Sequence, residues 1–156
     1  MAIRSTVKAI IIRNNKILLN RCADNKNGDY YTLPGGGQNK FESLEEALVR
    51  ECLEETGYLV SPIKFVALCE EIYDDIISRK EFPEYAHKLH HIFLCELCGD
   101  ERKGPTEKDS SQIESEWVSI SSINSIKLLP EYLQHNIFKI IDNKIYAFFN
   151  TKHISL

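Results

Sequence analysis

"GGGQNKFESLEEALVRECLEETGY", residues Gly35 to Tyr58, carries six glutamates within fourteen residues, directly behind three consecutive glycines. The pattern predicts a helix from about Leu44 to Thr56. Ser43 is a good N-cap, and Glu46 three residues on completes a capping box. Gly57 is placed to end the helix in a left-handed conformation. At about 100° per residue, with Leu44 as zero, Glu51 falls near 340°, Glu55 near 20° and Glu54 near 280°. Ala47 and Leu48 share that arc, so Glu51 and Glu55 lie among the residues expected to face the protein. Glu45 and Glu46 point elsewhere, as ordinary solvated charges.

Like charges four residues apart on a helix repel. Placing them on a partly buried face adds a desolvation cost on the order of several kcal/mol per uncompensated ion. Protonation, a basic partner or a metal must offset it. Arg50 can pair with one carboxylate but cannot serve the whole cluster. A hard divalent cation, Mg²⁺ or Mn²⁺, compensates several carboxylates together. The preceding "PGGG" lets the backbone approach a ligand closely. It is not a phosphate-binding P-loop, because no Gly-Lys-Ser/Thr follows.

Outward from this stretch, "TVKAIIIRNNKILLNRC" reads as a hairpin turning at Asn14-Asn15. "YYTLP" is a short strand ending at the glycines. "IKFVALCEEIYDD" and "YAHKLHHIFLCELC" are long strands rich in β-branched and aromatic residues, with "IISRKEFPEY" expected as the loop between them. "GDERKGPTEKDSSQIES" is the longest polar stretch, and "EWVSI" a further short strand before a turn or short helix. Pro130 starts a C-terminal helix, "PEYLQHNIFKIID". Strands, helix, strands, helix indicate an α/β (α+β) fold: a mixed β-sheet packed between helices.

The 156 residues fit one domain, large enough to bury a core without disulfide or metal staples. The net charge of −4 argues mildly against nucleic acid as main partner. It also hides an asymmetry. Residues 1–28 carry Arg4, Lys8, Arg13, Lys16, Arg21 and Lys26 against Asp24 alone, beside the acidic stretch, an arrangement suited to an anionic substrate held by metal. The five cysteines form no zinc-ligand pattern and read as reduced thiols; "HKLHH" reads as ordinary strand residues alternating between faces. With no signal peptide and no run of membrane-spanning length, a cytoplasmic location with no membrane partner is expected.

The full spacing resembles the Nudix box, G-x5-E-x7-R-E-U-x-E-E-x-G-U with U bulky and apolar, over residues 36–58. Gly36, Glu42, Arg50, Glu51, Glu54, Glu55 and Gly57 occupy its fixed positions. The first U position holds Cys52, a small hydrophobe when buried. Phe41 stands where relatives often carry Gly. Less specifically, the resemblance extends to the hairpin, the "YYTLPGGG" entry and "EWVSI" with its following helix. It implies a MutT-like Nudix hydrolase, a single domain over residues 1–156 with the Nudix α/β/α sandwich.

The resemblance implies Mg²⁺-dependent (or Mn²⁺-dependent) hydrolysis of a nucleoside diphosphate linked to another moiety, by water attack on phosphorus. Glu51, Glu54 and Glu55 would ligate metal with the Gly36 carbonyl, while Arg50 orients the cluster. Glu42 and Gly57 support the box. A box residue, Glu51 or Glu54, is the preferred base over Glu101, Glu107, Asp109, Glu114 and Glu116 of the later polar stretch. Arg21, Tyr31 and Phe41 are the substrate-binding candidates, with Lys16, Tyr30, Tyr73 and Phe82 as further phosphate or base contacts. The leading substrates are a (d)NTP or an ADP-ribose or nucleotide-sugar type of molecule. Dinucleoside polyphosphates or RNA 5′ ends are the second enzyme reading, and a non-catalytic nucleotide sensor is the third. A homodimer is compatible with the resemblance, and nothing in the sequence compels it.

Overall fold

The computed structural model of the chain describes residues 2–142 and 148–154. The hairpin forms as its sequence predicts: β1 (Arg4–Arg13) and β2 (Lys16–Asp24) are antiparallel, joined by Asn14 and Asn15 at φ 51° and 59°. Asparagine tolerates this left-handed region, which matches the strand twist in two-residue hairpins. β3 (Gly28–Thr32) adds to β2. After α1 (Leu44–Thr56) come the long pair β4 (Tyr58–Tyr73) and β5 (His87–Arg102), then β6 (Gln112–Ser119). A 3-10 helix at Ile120–Ser125, the short β7 (Leu128–Leu129) and the helix Glu131–Ile141 follow, and β8 (Phe148–Ile154) closes the order.

The sheet runs β7-β3-β2-β1-β5-β4-β8, with β6 pairing β2 on a separate branch. β1 lies parallel to β5, and β4 antiparallel to β5, so the sheet is mixed. Alternation along β1 divides the core. Val7, Ala9 and Ile11 pack with Ala47, Leu48 and Cys52 of α1. Ile10 instead joins Leu133, Ile137 and Ile140 of the C-terminal helix. Helices therefore cover both faces, as the order of elements indicates.

Two expectations are corrected. "IISRKEFPEY" is not all loop: α2 (Ile76–Glu81) forms within it, capped by Asp75, whose carboxylate accepts from the Ser78 amide at 2.7 Å. With this helix numbered, Glu131–Ile141 is α3. The polar stretch after Cys98 is also shorter than it reads, because Gly99–Arg102 extend β5 and β6 begins at Gln112. Among the described residues no helix is long and apolar enough to cross a membrane, and no cysteine is in a disulfide.

The box helix matches its predicted limits. Ser43 Oγ accepts from the Glu46 amide, the Glu46 carboxylate accepts from the Ser43 amide, and Gly57 closes the helix at φ 78°. In front of it the sheet splits. β1 meets β2 only at Ile12 and Arg13, and lower down the glycine stretch fills the gap. Val7 N–H donates to Gly36 O and Ala9 N–H to Pro34 O, both at 2.9 Å, while Gln38 N–H donates to Ser5 O.

Phe41, beyond this loop, has φ 70° and is 96% exposed. A left-handed backbone costs a non-glycine residue roughly 1–2 kcal/mol, and no buried contact offsets it here. Phe41→Gly is therefore expected to stabilise the fold by roughly 0.5–1 kcal/mol after the entropy of the extra glycine is counted. A higher urea midpoint at unchanged slope would be the result; a lower midpoint would refute the strain argument.

Candidate active site

Capping fixes where α1 begins and ends, and its buried stripe of Ala47, Leu48 and Cys52 fixes its rotation. Together these bring Arg50, Glu51, Glu54 and Glu55 to one wall of a cavity of about 740 Å³, beside Gly35 and Gly36. Arg50 knits the wall. Its Nε and Nη2 donate to the two Glu42 oxygens at 2.7 and 2.9 Å, and Nη2 also reaches Gly37 O. Nη1 donates to Glu51 at 2.7 Å and Glu54 at 3.1 Å. One planar guanidinium thus joins three carboxylates and the glycine loop, where the sequence suggests a single partner; only Glu55 of the buried arc is left to other donors. Its hydrogen bond holds the Glu42 carboxyl below the usual range, whereas burial raises that of Glu51 despite Arg50.

Glu55 is the most buried of the four, at 4% exposure. Its carboxylate accepts from the Gly35 amide at 2.9 Å and Asn20 Nδ2 at 2.8 Å. Behind it, Ser115 donates to Asn20 Oδ1 at 2.6 Å, and Gln112 donates to the Glu55 carbonyl at 3.2 Å. β2 and β6 supply this backing, which aims one oxygen set toward the glycine turn.

Burial, only partly opposed by Lys8 and these donors, raises the Glu55 carboxyl to about 7. The sign follows from linkage. The fold binds this proton more tightly than the unfolded chain does, so its stabilising contribution is full below pH 4.5 and lost as pH rises through 7. Metal-free protein is expected to lose melting temperature between pH 5 and about 8 more steeply than its Glu55→Gln variant. Parallel curves would show that Glu55 is not held protonated.

Could this wall hold a metal? A Cβ on Gly36 would lie 2.3 Å from Glu51 Oε2, so the carboxylate rests directly against the loop backbone in space that only glycine leaves. Glu51, Glu54 and Glu55 are hard oxygen donors lining one cavity, the donor type that suits Mg²⁺ or Mn²⁺, while Gly36 O already accepts from the Val7 amide and offers only its second lone pair. Among the described residues, however, no three acidic, His or Cys side chains converge as a ready ligand set. Arg50 takes one oxygen each of Glu51 and Glu54, and Asn20 and Gly35 share one oxygen of Glu55, so each carboxylate keeps its second oxygen for a cation.

The same cavity also has a basic lining. Arg4 and Lys8 of β1 and Lys88 of β5 line it with His90, and Glu107, Lys108 and Asp109 overhang from the 103–111 segment. That segment is tied down where the amides of Thr106 and Glu107 donate to Glu54 O. Lys8, Lys88 and His90 also line a second cavity of about 680 Å³ that includes Tyr30, Tyr73 and Gln134. The two spaces therefore share a boundary.

Of the leading substrate candidates Arg21, Tyr31 and Phe41, none lines either of these two cavities, whereas the further candidates Tyr30 and Tyr73 line the second. Arg21 pairs with Glu114 at 3.4 Å and Tyr31 donates to Glu116, both across β2, β3 and β6. Phe41 lines a separate shallow hollow near the N-terminus. The residues missed as contacts, Lys88 and His90, lay in "HKLHH". The signal was the alternation of Arg4, Thr6 and Lys8 on β1, a polar row in a strand otherwise built of core residues.

Comparison with known proteins agrees with this geometry. The NUDIX domain family model matches residues 2–142. An ADP-ribose pyrophosphatase of Methanocaldococcus jannaschii is 28% identical over 129 residues, covering 82% of this chain and 72% of that protein. A Caenorhabditis elegans protein named as a nudix hydrolase is 29% identical over 125 residues, 77% of this chain, which spans only 30% of that relative's length. In structure, a NUDIX hydrolase from Nitrosomonas europaea superposes with a TM-score of 0.73 at 21% identity, over 93% of each chain.

Proposed function

The chain belongs to the NUDIX domain family, and from that membership we propose that it hydrolyses the pyrophosphate link of a small nucleoside diphosphate derivative, of the ADP-ribose or nucleotide-sugar type. The observation that carries the reading is one cavity lined both by the carboxylates Glu51, Glu54 and Glu55 and by the cations Arg4, Lys8 and Lys88. An anionic link between two bulky groups fits such a space, and the shared boundary with a second cavity gives one of those groups room. The Methanocaldococcus jannaschii relative, named for ADP-ribose, supports the same substrate class.

Glu51, Glu54, Glu55 and the Gly36 carbonyl would hold Mg²⁺ or Mn²⁺. When bound, the cation would neutralise phosphate oxygens and lower the pKa of water. Arg50 keeps Glu51 and Glu54 on the cavity side of α1 and ties them to Glu42. Lys8, anchored on Gly35 O at 2.5 Å, and Arg4 present fixed positive charge to the phosphates. Glu51 or Glu54 accepts the proton of the attacking water. The Asn20–Ser115–Gln112 network keeps Glu55 from rotating out of line.

The test is turnover of a panel with Mg²⁺: ADP-ribose, other nucleotide sugars, dNTPs and diadenosine polyphosphates, with Glu55→Gln as blank and products separated by chromatography. The expected result is AMP and ribose 5-phosphate from ADP-ribose, or the matching pair from a nucleotide sugar, well above the blank. A folded, Mg²⁺-loaded protein that cleaves only dNTPs overturns the substrate class, and one that cleaves nothing overturns the activity.

A further inference from the structure

At the boundary of the two cavities Lys88 stands in a polar group whose other members, Glu71, His90 and Thr6, the chemistry above does not use. Strand register assembles it: Lys88 lies opposite Arg4 on β1 and Glu71 on β4, and His90 lies opposite Thr6. His90 Nε2 is 2.8 Å from Glu71 Oε2, and Lys88 Nζ is 3.0 Å from the same oxygen. His90 Nδ1 is 2.7 Å from Thr6 Oγ1. His90 is 5% exposed and Glu71 9%.

Burial works to raise the Glu71 carboxyl, but the His90 hydrogen bond and the Lys88 charge outweigh it and hold it at about 2. Burial lowers His90, so the ring is neutral at neutral pH. Because a carboxylate only accepts, Nε2 carries the proton toward Glu71 and Nδ1 accepts from the Thr6 hydroxyl. The tautomer, and with it the direction of Glu71, is thereby set.

A buried ion pair of this kind adds little net stability, since its desolvation offsets its attraction. Its effect is on placement. A free lysine samples many rotamers; Lys88, held at one donor by Glu71 with its ammonium 5.7 Å from the Tyr73 ring centre, is fixed where a molecule spanning both cavities must cross. Two of its three N–H donors remain for a ligand.

We propose that Lys88 is a specificity-determining residue that binds the phosphate of a two-sided diphosphate substrate at the junction of the cavities, and that Glu71, oriented by His90 and Thr6, is its positioning residue. The proposal rests on the function proposed above, because it takes the pyrophosphate link to lie between the α1 carboxylates and this junction.

The test uses Lys88→Met, Lys88→Arg and Glu71→Gln in the Mg²⁺-loaded protein. Two readouts are taken: calorimetric binding of α,β-methylene-ADP, and kcat and KM for ADP-ribose or whichever nucleotide sugar the wild type cleaves. Lys88→Met is expected to weaken analogue binding and raise KM about tenfold, with kcat within about twofold. Lys88→Arg restores most of the affinity, and Glu71→Gln shifts KM in the same direction by less. If Lys88→Met changes melting temperature while leaving analogue affinity and KM at wild-type values, the pair is structural only and the proposal falls. If Lys88→Met does not fold, Lys88→Gln is measured by the same criteria. Wild-type protein that neither binds the analogue nor cleaves any diphosphate sinks the underlying reading of the cavity together with the proposal. Wild-type turnover with Lys88-independent affinity sinks the proposal alone.

Discussion

Glu54→Gln is expected to lower kcat on the best substrate by about 10³-fold at saturating Mg²⁺, within the range for losing a positioned acid–base group. Glu54 sits on the cavity wall with Glu51, and both are held by the same Arg50 nitrogen. The amide is nearly isosteric, so packing is preserved. Removing one of three anions around Arg50 relieves repulsion between neighbours, and the melting temperature should hold or rise slightly. Loss of activity with an intact melting curve separates chemistry from folding. Near wild-type turnover would remove Glu54 from the mechanism and turn attention to Glu51 and to Glu107 or Asp109 on the overhanging segment.

Adjacent glycines should fail in different ways. A Cβ on Gly35 would lie 2.1 Å from the backbone oxygen of Val7, and Gly35 has φ 131°, a region L residues rarely adopt. Backbone cannot yield as a side-chain tip can. Gly35→Ala should cost roughly 3 kcal/mol, or about 9 °C in melting temperature. On Gly36 the same atom would meet only the Glu51 carboxylate. Gly36→Ala should therefore melt within about 2 °C of wild type but lose activity by roughly 100-fold, because Glu51 must leave its place beside the loop and Arg50. Thermal melts and steady-state kinetics on both variants decide this. Equal melting losses would mean that the Glu51 position is rigid and shares in holding the fold.

The box helix was legible almost to the residue, because capping, apolar stripe and terminal glycine are local signals. The hairpin turn was legible for the same reason: Asn-Asn meets the backbone demand itself. What escaped was either non-local or lacked an apolar stripe to support its local cap. α2 depends on the Asp75 cap inside a stretch with no apolar stripe to bury, and none of its residues is buried. β8 exists by parallel pairing with β4, which no short-range pattern announces. At the site, alternation tells which residues of "HKLHH" share a face but not what lies above that face. Arg21 and Tyr31 illustrate the converse: as a second-strand cation and an aromatic they suit phosphate and base, whereas their register puts Tyr31 opposite Arg21 and both beside Glu114 and Glu116.

The pairing of the glycine stretch with β1 has a consequence for hydrogen exchange. The Val7 and Ala9 amides are closed by Gly36 and Pro34 carbonyls, and their strand is bonded to β5 along its other edge. Those two protons can reach solvent only if the loop lifts from the strand or the sheet itself opens. Since Lys8, between them, also holds Gly35 O, lifting the loop breaks backbone and side-chain bonds together. Val7 and Ala9 should then exchange with the slowest, globally unfolding class of amides. Their protection would follow the loop that carries Gly36, and would record a glycine turn that opens with the core of the protein, not ahead of it.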